Sequence, residues 1–379
     1  MNASPAACAG CLRRAWLLRA LAPYVERITT GEPGSRSPEL LRLDDEPLAL
    51  AVAPKDAARL LAECGALPER RLRDEVARVG AWACCPHGDL YPSPLADAGD
   101  APRGLFGLGS HRVLEGVGRT DAVTLVGARR ASGYGRQVAA ELGRDLAASG
   151  LLVVSGMAHG VDGAAHRGAL EAGPTIAVLG TGVDLAYPAA HRGLHRQIHE
   201  RGLVLSEMPP GSTAWKWTFP ARNRIMAALG QMTVVVEAAR RSGSLITAQQ
   251  AEDLGREVGA VPGPVTSAGS SGSNGLLAGG AHVVRCAQDV LDVVLGPGVR
   301  TVERTGPALE QPLVAALEAV ERGGGSCDAV AALLGLSGAE AGVALARLEL
   351  LGYLERSALG SYSRTLLAPP PGAPAGHAS

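Results

Sequence analysis

Lysine is almost missing from this chain. Lys55 and Lys216 are the only two among 36 basic residues, so the remaining 34 are arginine. Together with 50 glycines and an excess of alanine, this is the composition of a GC-rich genome and says nothing of function. Aromatic residues are also scarce, with four Trp, six Tyr and two Phe in 379 residues. Charge of one sign is lacking too: 36 basic side chains stand against 37 acidic ones. That balance excludes a broad basic surface, so any nucleic-acid site must be local. No apolar run reaches the roughly 18 residues of a membrane span, and no membrane association is expected. Arg13, Arg14 and Arg19 interrupt the apolar stretch 15–21, which argues against a signal peptide. Cys8-Ala-Gly-Cys11 faintly resembles a lipoprotein cleavage site, but no hydrophobic segment precedes it. Seven irregularly spaced cysteines fit a reduced, cytoplasmic protein better than a disulfide scaffold.

Two ligand-binding patterns are absent as well. After the first apolar run of the central region the chain reads Gly127-Ala128-Arg129, without G-x-G-x-x-G, and no G-x-x-x-x-G-K-[ST] follows any strand. Ordinary NAD and ATP sites are thereby excluded, and no cofactor is expected.

What is present is a regular alternation. Short Val/Leu/Ile-rich runs at 122–126, 151–155, 175–179, 203–206, 233–237 and 258–261 read as strands. Helical patterns at 137–148, 164–172, 194–201, 221–229 and 248–254 lie between them. This predicts βαβ units and an α/β fold with a parallel sheet covered on both faces. Right-handed crossovers bring every strand's C-terminal end to one edge, where open α/β sheets bind ligands. Gly127, Arg129, Gly156, Gly160, Gly180, Gly182, Glu207, Ser242 and Gly243 all follow strands at that edge. Glycines there admit close approach to the backbone, and free N–H groups at helix starts favour anions.

Charge gathers at the same place. Lys216, Arg222, Arg224, Arg240 and Arg241 face only Glu237 over residues 216–241, a difference of +4. Arg129, Arg130 and Arg136 add to it. Trp215, Trp217 and Phe219 stand among these cations. Rings that stack on bases beside cations that hold phosphates suit a flexible single strand. The competing reading makes the rings a packing cluster; the binding reading is favoured. Arg222-Asn223-Arg224 after Pro220 reads as an anion clamp near a helix start. Asp162 and His166, four residues apart, are either an acid–base pair or, as favoured, a helix-start carboxylate held by an imidazole. Glu237 reads as a general base or, as favoured, as a partner orienting a nearby arginine.

The flanks are different in character. Residues 12–28, with Pro23 as an interruption, 56–64 and 70–79 read as helices; 32–45 reads as a loop, and 91–106 as a Pro/Gly-rich connector. Cys84, Cys85 and His87 could join Cys8 and Cys11 around zinc, but the spacing matches no standard pattern. Buried or idle thiols are the favoured reading, and no metal is expected. Towards the C-terminus, 311–320, 328–334 and 338–351 read as three helices, and 352–364 as a hairpin. The region from 297 onward holds 6 basic and 8 acidic residues, so weak or no duplex binding is expected of it. A role in protein contact or regulation is expected instead. The tail after Leu367 is rich in Pro, Ala and Gly and is expected to be disordered.

Ordered motifs from Val123 to Val284 make the chain resemble the DNA-processing protein A (DprA/Smf) family. They are VGAR at 126–129, SGMAHGVDGAAHRGAL at 155–170, TIAVLGTGVDLAYP at 175–188, LSE at 205–207, FPARNRI at 219–225, VVVEAARRSGSLITA at 234–248, VPG at 261–263 and SNGLLAGGA at 273–281. The resemblance implies an extended Rossmann-like parallel sheet core over 106–297. A helical N-terminal domain and connector (1–105) would precede it. A linker (298–307), a winged-helix-like domain (308–367) and the tail (368–379) would follow. It implies a non-enzymatic protein that binds single-stranded DNA and protects incoming strands in natural transformation. It further implies loading of the RecA recombinase and homodimerisation through the Rossmann-like domain. The implied DNA pocket is Gly127, Ala128, Arg129, Gly156, Lys216, Phe219, Arg222, Asn223 and Arg224, with Ser242, Gly243 and Thr247 nearby. Ala128 departs from the family's usual Ser and His159 from its frequent Arg; Gly272-Ser273-Asn274 replaces Gly-Thr-Asn. An alternative is a nucleotide-processing hydrolase related to phosphoribohydrolases, using Glu237 and Arg222. The chain has Ser-Gly-Ser-Leu-Ile-Thr-Ala-Gln where those enzymes carry P-G-G-x-G-T-x-x-E.

Overall fold

The structure, a computed structural model, describes residues 7–29, 37–118, 121–301, 304–357, 360–365 and 367–369. The chain divides into two compact units, 1–301 and 302–379.

The first unit opens with helices α1 (Ala9–Thr29), α2 (Ser37–Leu41), α3 (Asp45–Val52), α4 (Ala57–Gly65) and α5 (Glu69–Arg78). β1 (Trp82–Cys84), α6 (Ser93–Ala96), β2 (Leu105–Gly109) and α7 (His111–Gly116) follow. Then come the alternating elements: β3 (Ala122–Val126), α8 (Gly133–Ala148), β4 (Leu152–Ser155), α9 (Val161–Ala172), β5 (Thr175–Leu179) and α10 (Arg192–Arg201). The unit continues through β6 (Leu203–Ser206), α11 (Thr218–Leu229), β7 (Met232–Val235), α12 (Ser244–Asp253), β8 (Glu257–Ala260), α13 (Ser271–Ala278), β9 (His282–Val283) and α14 (Ala287–Leu295).

All nine strands form one sheet in the order β1-β2-β6-β5-β4-β3-β7-β8-β9. β3 to β9 pair in parallel, whereas β1 and β2 attach antiparallel at the β6 edge. The chain lays strands outward from β3 to β6, then returns to place β7 on the other side of β3. The switch point, where an open α/β sheet forms its ligand crevice, is therefore between β3 and β7. The fold is the expected α/β, Rossmann-like one.

Three readings of the front region are corrected. The connector 91–106 holds α6 and ends in β2, whose Phe106 pairs in register with Ser206 of β6. Of the loop expected at 32–45, residues 32–36 lie outside the described residues, and the rest holds α2 and runs into α3. α1 continues through Pro23, its apolar face held by tertiary contacts that offset one missing backbone bond. Leu12 and Trp16 of α1 share a buried cluster with Phe106, Leu179 and Val204. Cys8, Cys11, Cys85 and His87 come together at the start of α1, while Cys84 faces the opposite side of β1 into another apolar cluster.

The second unit holds β10 (Arg304–Thr305), α15 (Gln311–Glu321), α16 (Cys327–Leu334), α17 (Gly338–Leu350), β11 (Leu354–Arg356), β12 (Tyr362–Arg364) and β13 (Leu367–Ala368). Ser326 and Ser337 cap α16 and α17, the latter in a full capping box with Glu340. β11 and β12 pair antiparallel, and Leu313, Leu317, Leu345, Leu348 and Tyr353 fill the unit's own core. Residues 370–379, most of the expected disordered tail, lie outside the described residues. Among the described residues no single helix is long and apolar enough to cross a membrane.

Candidate nucleic-acid interface

A cavity of about 780 Å³ opens at the switch point. Its floor is the turn after β3. There Gly127 packs so closely on Val161 that a Cβ would fall 2.5 Å from a valine methyl. Ala128 is fixed from both sides, its N–H donating to Glu237 O (2.7 Å) and its carbonyl accepting from Val161 N (3.3 Å). Gly160 has φ +76, and a Cβ there would lie 2.2 Å from the Ala128 oxygen. Glycine is thus required where the β4 turn crosses the β3 turn.

Glu237 holds the far end of the same loop. Its carboxylate accepts from Ser132 N (3.1 Å) and Ser132 Oγ (2.7 Å), and Ser132 Oγ in turn accepts from Gly135 N to cap α8. Glu237 is 7% exposed and does not line the cavity. Among the described residues it forms no ion pair with an arginine. It shapes the loop that presents Arg129 and Arg130.

The loop from β6 to α11 and the first turn of α11 supply the opposite wall, with exposed Lys216 in the loop and half-buried Phe219 in the helix. Phe219 is the centre of an aromatic and cationic cluster. The Arg129 guanidinium lies 5.1 Å from its ring, Arg222 lies 6.0 Å away, and Tyr187 packs at 5.1 Å with a 40° tilt. Among the described residues no carboxylate forms an ion pair with Arg129, Arg130 or Lys216. The third wall is the start of α12, with Ser242, Gly243, Ser244, Ile246 and Thr247.

Ten of the twelve expected site residues line this one cavity: Gly127, Ala128, Arg129, Lys216, Phe219, Arg222, Asn223, Ser242, Gly243 and Thr247. Gly156 acts from beneath. Its carbonyl accepts from Arg222 Nη1, and a Cβ at 156 would sit 2.2 Å from the guanidinium carbon. Arg224 does not reach the cavity. It is 3% exposed, donates to Glu207 (2.6 Å) and to the carbonyl of Asp100, and so ties α11 to the end of β6 and to the segment before β2.

The expected anion clamp at 222–224 is therefore not formed. α11 begins at Thr218, which moves these residues away from its free N–H groups. Arg222 also donates to Val178 O (2.6 Å) and Asn223 Oδ1 (3.2 Å), and lies 3.8 Å from Asp162. Burial pushes its pKa down to about 10, opposed by Asp162 and assisted by the like charge of Arg129. It stays cationic at neutral pH. Burial pushes the Asp162 carboxyl up, against the pull of Arg222 and of the Ala158 N–H.

Asp162 is thus held by Arg222 and its own loop rather than by His166, and the two form no acid–base pair. The single hydroxyl proton of Thr175 goes to Val153 O (2.6 Å). The contact between His166 Nδ1 and Thr175 Oγ (2.8 Å) therefore needs the proton on Nδ1. Burial pushes this imidazole down to about 3, so it is neutral and structural.

The two tryptophans are packing groups. Trp217 is 2% exposed, donates from Nε1 to Ala22 O (3.1 Å), and joins Leu17, Leu18 and Leu21 of α1 in one cluster, with Trp215 against it. Their partners lie nearly 200 residues upstream, beyond any local signal. Tyr187, Glu26 and Thr29 line the cavity and had no role in the sequence reading. An aromatic ending a Gly-rich strand-end turn was the available signal for Tyr187; Glu26 and Thr29 had none. Lining cations Arg129, Arg130, Lys216 and Arg222 against lining carboxylates Glu26 and Asp162 leave a difference of +2.

Residues 82–295 match the model of the DNA recombination-mediator protein A family. The chain is 43% identical over 264 residues to a Mycobacterium tuberculosis protein of the DprA name, covering 68% of this chain and 67% of that one. It is 43% identical over 204 residues to the DNA processing protein DprA of Streptococcus pneumoniae, 54% of this chain and 71% of that one. The X-ray structure of DprA from Streptococcus pneumoniae superposes with a TM-score of 0.59 at 34% identity, covering 74% of this chain and 95% of that one. By the family model over 82–295 and these relatives, the chain belongs to the DNA recombination-mediator protein A (DprA/Smf) family.

Proposed function

We propose that the cavity binds a few nucleotides of single-stranded DNA and that the protein acts by binding, without catalysing a reaction. One observation carries this reading: Phe219, flanked by Tyr187 and capped by Arg129, stands in a pocket whose cations Arg129, Arg130 and Lys216 form no ion pair among the described residues. A ring so placed offers a stacking face, and the cations hold the phosphates on either side. Bases inside a duplex are already stacked and cannot reach the ring without being extruded. The DNA processing named for the family's members supplies the kind of nucleic acid. Changing Arg129 and Lys216 together to Ala should abolish most of the affinity for a labelled oligonucleotide while the thermal midpoint holds. Undiminished binding would remove the site.

The strand so held is protected and handed to the RecA recombinase during natural transformation or homologous recombination, and the protein works in the cytoplasm as a homodimer through its Rossmann-like unit. The edge strand β9 with exposed Val283, and Val265 at 93% exposure, support a self-association surface there. Stimulation of RecA assembly on strands coated by single-strand-binding protein tests the first step, and light scattering during size exclusion tests the second. We read the second unit as winged-helix-like and as a protein-contact module. Arg347, the cation of its third helix, already faces Glu310 at 3.4 Å. The hydrolase alternative needs Glu237 and Arg222 directed at a ligand. Ser132 occupies the first, and main-chain carbonyls with Asn223 occupy most of the second.

A further inference from the structure

Outside the cavity, four metal-ligating groups converge where α1 meets the sheet. The Sγ atoms of Cys8, Cys11 and Cys85 and Nδ1 of His87 all lie within 4.8 Å of one another. The distances from His87 Nδ1 to the three sulfurs are 3.6, 3.5 and 3.6 Å. A ring nitrogen has one proton to give or one lone pair to offer, so a hydrogen bond can satisfy one sulfur and not three at equal range. A common central ion satisfies all of them. With Zn–S bonds of about 2.3 Å and a Zn–N bond of about 2.0–2.1 Å, tetrahedral angles place sulfur and nitrogen about 3.5–3.6 Å apart. That is the spacing found.

We propose that Cys8, Cys11, Cys85 and His87 form a structural zinc site, against the sequence expectation of no metal. The Cys-x-x-Cys half spans the first turn of α1, and the Cys-x-His half follows β1. Three thiolates and one imidazole close the coordination sphere and leave no position for substrate, as structural zinc sites do. The surroundings are already built for it. Cys8 N lies 3.4 Å from Cys85 Sγ, an N–H that steadies a thiolate ligand. Ala7 N donates to Ala83 O, and Arg73 donates to Ala7 O, fixing the segment that carries Cys8. Cys11 and Cys85 are 5% and 1% exposed. The site pins the N-terminal end of a helix whose other end supplies Glu26 and Thr29 to the cavity wall and accepts the Trp217 N–H. Zinc therefore holds that wall in place from the opposite end of α1, about 30 Å away along a 21-residue helix.

The test uses the full chain, purified in the presence of a thiol reductant and zinc, then desalted. Elemental analysis should give one zinc per chain. Exchange with Co(II) should give thiolate-to-cobalt charge transfer and the intense d–d bands of a tetrahedral ion. Cys85→Ala and Cys11→Ala should lose the metal, whereas Cys84→Ala, on the other face of β1, should keep it. If the alanine variants do not fold, His87→Cys decides: it supplies a fourth thiolate, should retain zinc, and should red-shift the cobalt charge-transfer envelope. Stripping with a strong chelator should lower the thermal midpoint and weaken single-strand binding several-fold. Zinc far below one per chain, a six-coordinate cobalt spectrum, zinc content indifferent to Cys85→Ala, or a disulfide among these cysteines in the reduced preparation would each overturn the proposal. The metal content, the cobalt spectrum and the thermal midpoint are independent of DNA, so they stand or fall apart from the reading of the cavity.

Discussion

Replacing Phe219 with leucine removes a ring and leaves every charge of the cavity in place. The ring stands 5.1 Å from both the Arg129 guanidinium and the Tyr187 ring, and it is half-buried, so leucine keeps much of the packing. If a base stacks there, the loss is part of the roughly 1–3 kcal/mol of one base–aromatic contact. Leucine retains some apolar contact, which places the expected loss in the lower half, about 5- to 30-fold in Kd. Arg129→Ala should lower affinity by a comparable factor for a different reason. It removes a phosphate contact, so the slope of log K against log salt should become shallower by about 0.7, the value for one contact on a single strand. Phe219→Leu should leave that slope unchanged. Fluorescence anisotropy with labelled oligothymidylate over a salt series reads both quantities at once. A Phe219→Leu protein that binds like the wild type, or whose salt slope shifts as much as that of Arg129→Ala, would refute the assignment of ring to base and cation to phosphate.

Three further outcomes are expected. Arg224→Met breaks a buried pair with Glu207 and should destabilise the fold by about 3–5 kcal/mol in urea unfolding, with the salt slope of DNA binding unchanged because Arg224 is outside the cavity. Glu237→Ala leaves Ser132 N–H and the α8 cap without their acceptor; it should cost about 1–3 kcal/mol of stability and weaken single-strand binding, and neither it nor the wild type should release free base from AMP. His166 is depressed to about 3 from an ordinary 6.5. Its contribution is fully present above about pH 6.5 and is lost as pH falls towards 3, which predicts about 2 kcal/mol less stability at pH 5 than at pH 7.5. His195, also pushed down by burial, adds to the same slope, so a His166→Asn protein should show a shallower pH dependence rather than a flat one; an unchanged dependence would count against the assignment.

Local patterns carried the sheet. The strands expected at 122–126, 175–179 and 203–206 form with those bounds, because a strand buried on both faces writes a continuous apolar run into the sequence. β1 and β2 left no such trace. They are short, flanked by Pro and Gly, and exist because β6 offers an unpaired edge. The edge of the sheet carrying the cavity was legible from strand polarity and glycine placement. Which side chains face it was less so. Arg222, Arg224, Trp215 and Trp217 share one cationic, aromatic stretch in sequence, yet Arg224 answers to Glu207, Arg222 to main-chain carbonyls, and the tryptophans to α1. Each of those partners is distant in the chain, so composition alone favoured binding where packing won. The cysteines that we propose as zinc ligands are the opposite case. Their spacing looks idle because the ligand geometry is completed by α1 lying against β1, a contact no spacing rule records.

The central claim is that unstacked bases enter the cavity between β3 and β7. Affinities of a single strand and of a duplex of the same length, measured across a salt series for the wild type and for Arg129→Ala, test it most directly. The single strand should bind more tightly at every salt concentration, with affinity falling as salt rises and a shallower fall for Arg129→Ala. Equal or tighter binding of the duplex, or an Arg129→Ala protein with unchanged affinity and slope, would contradict it.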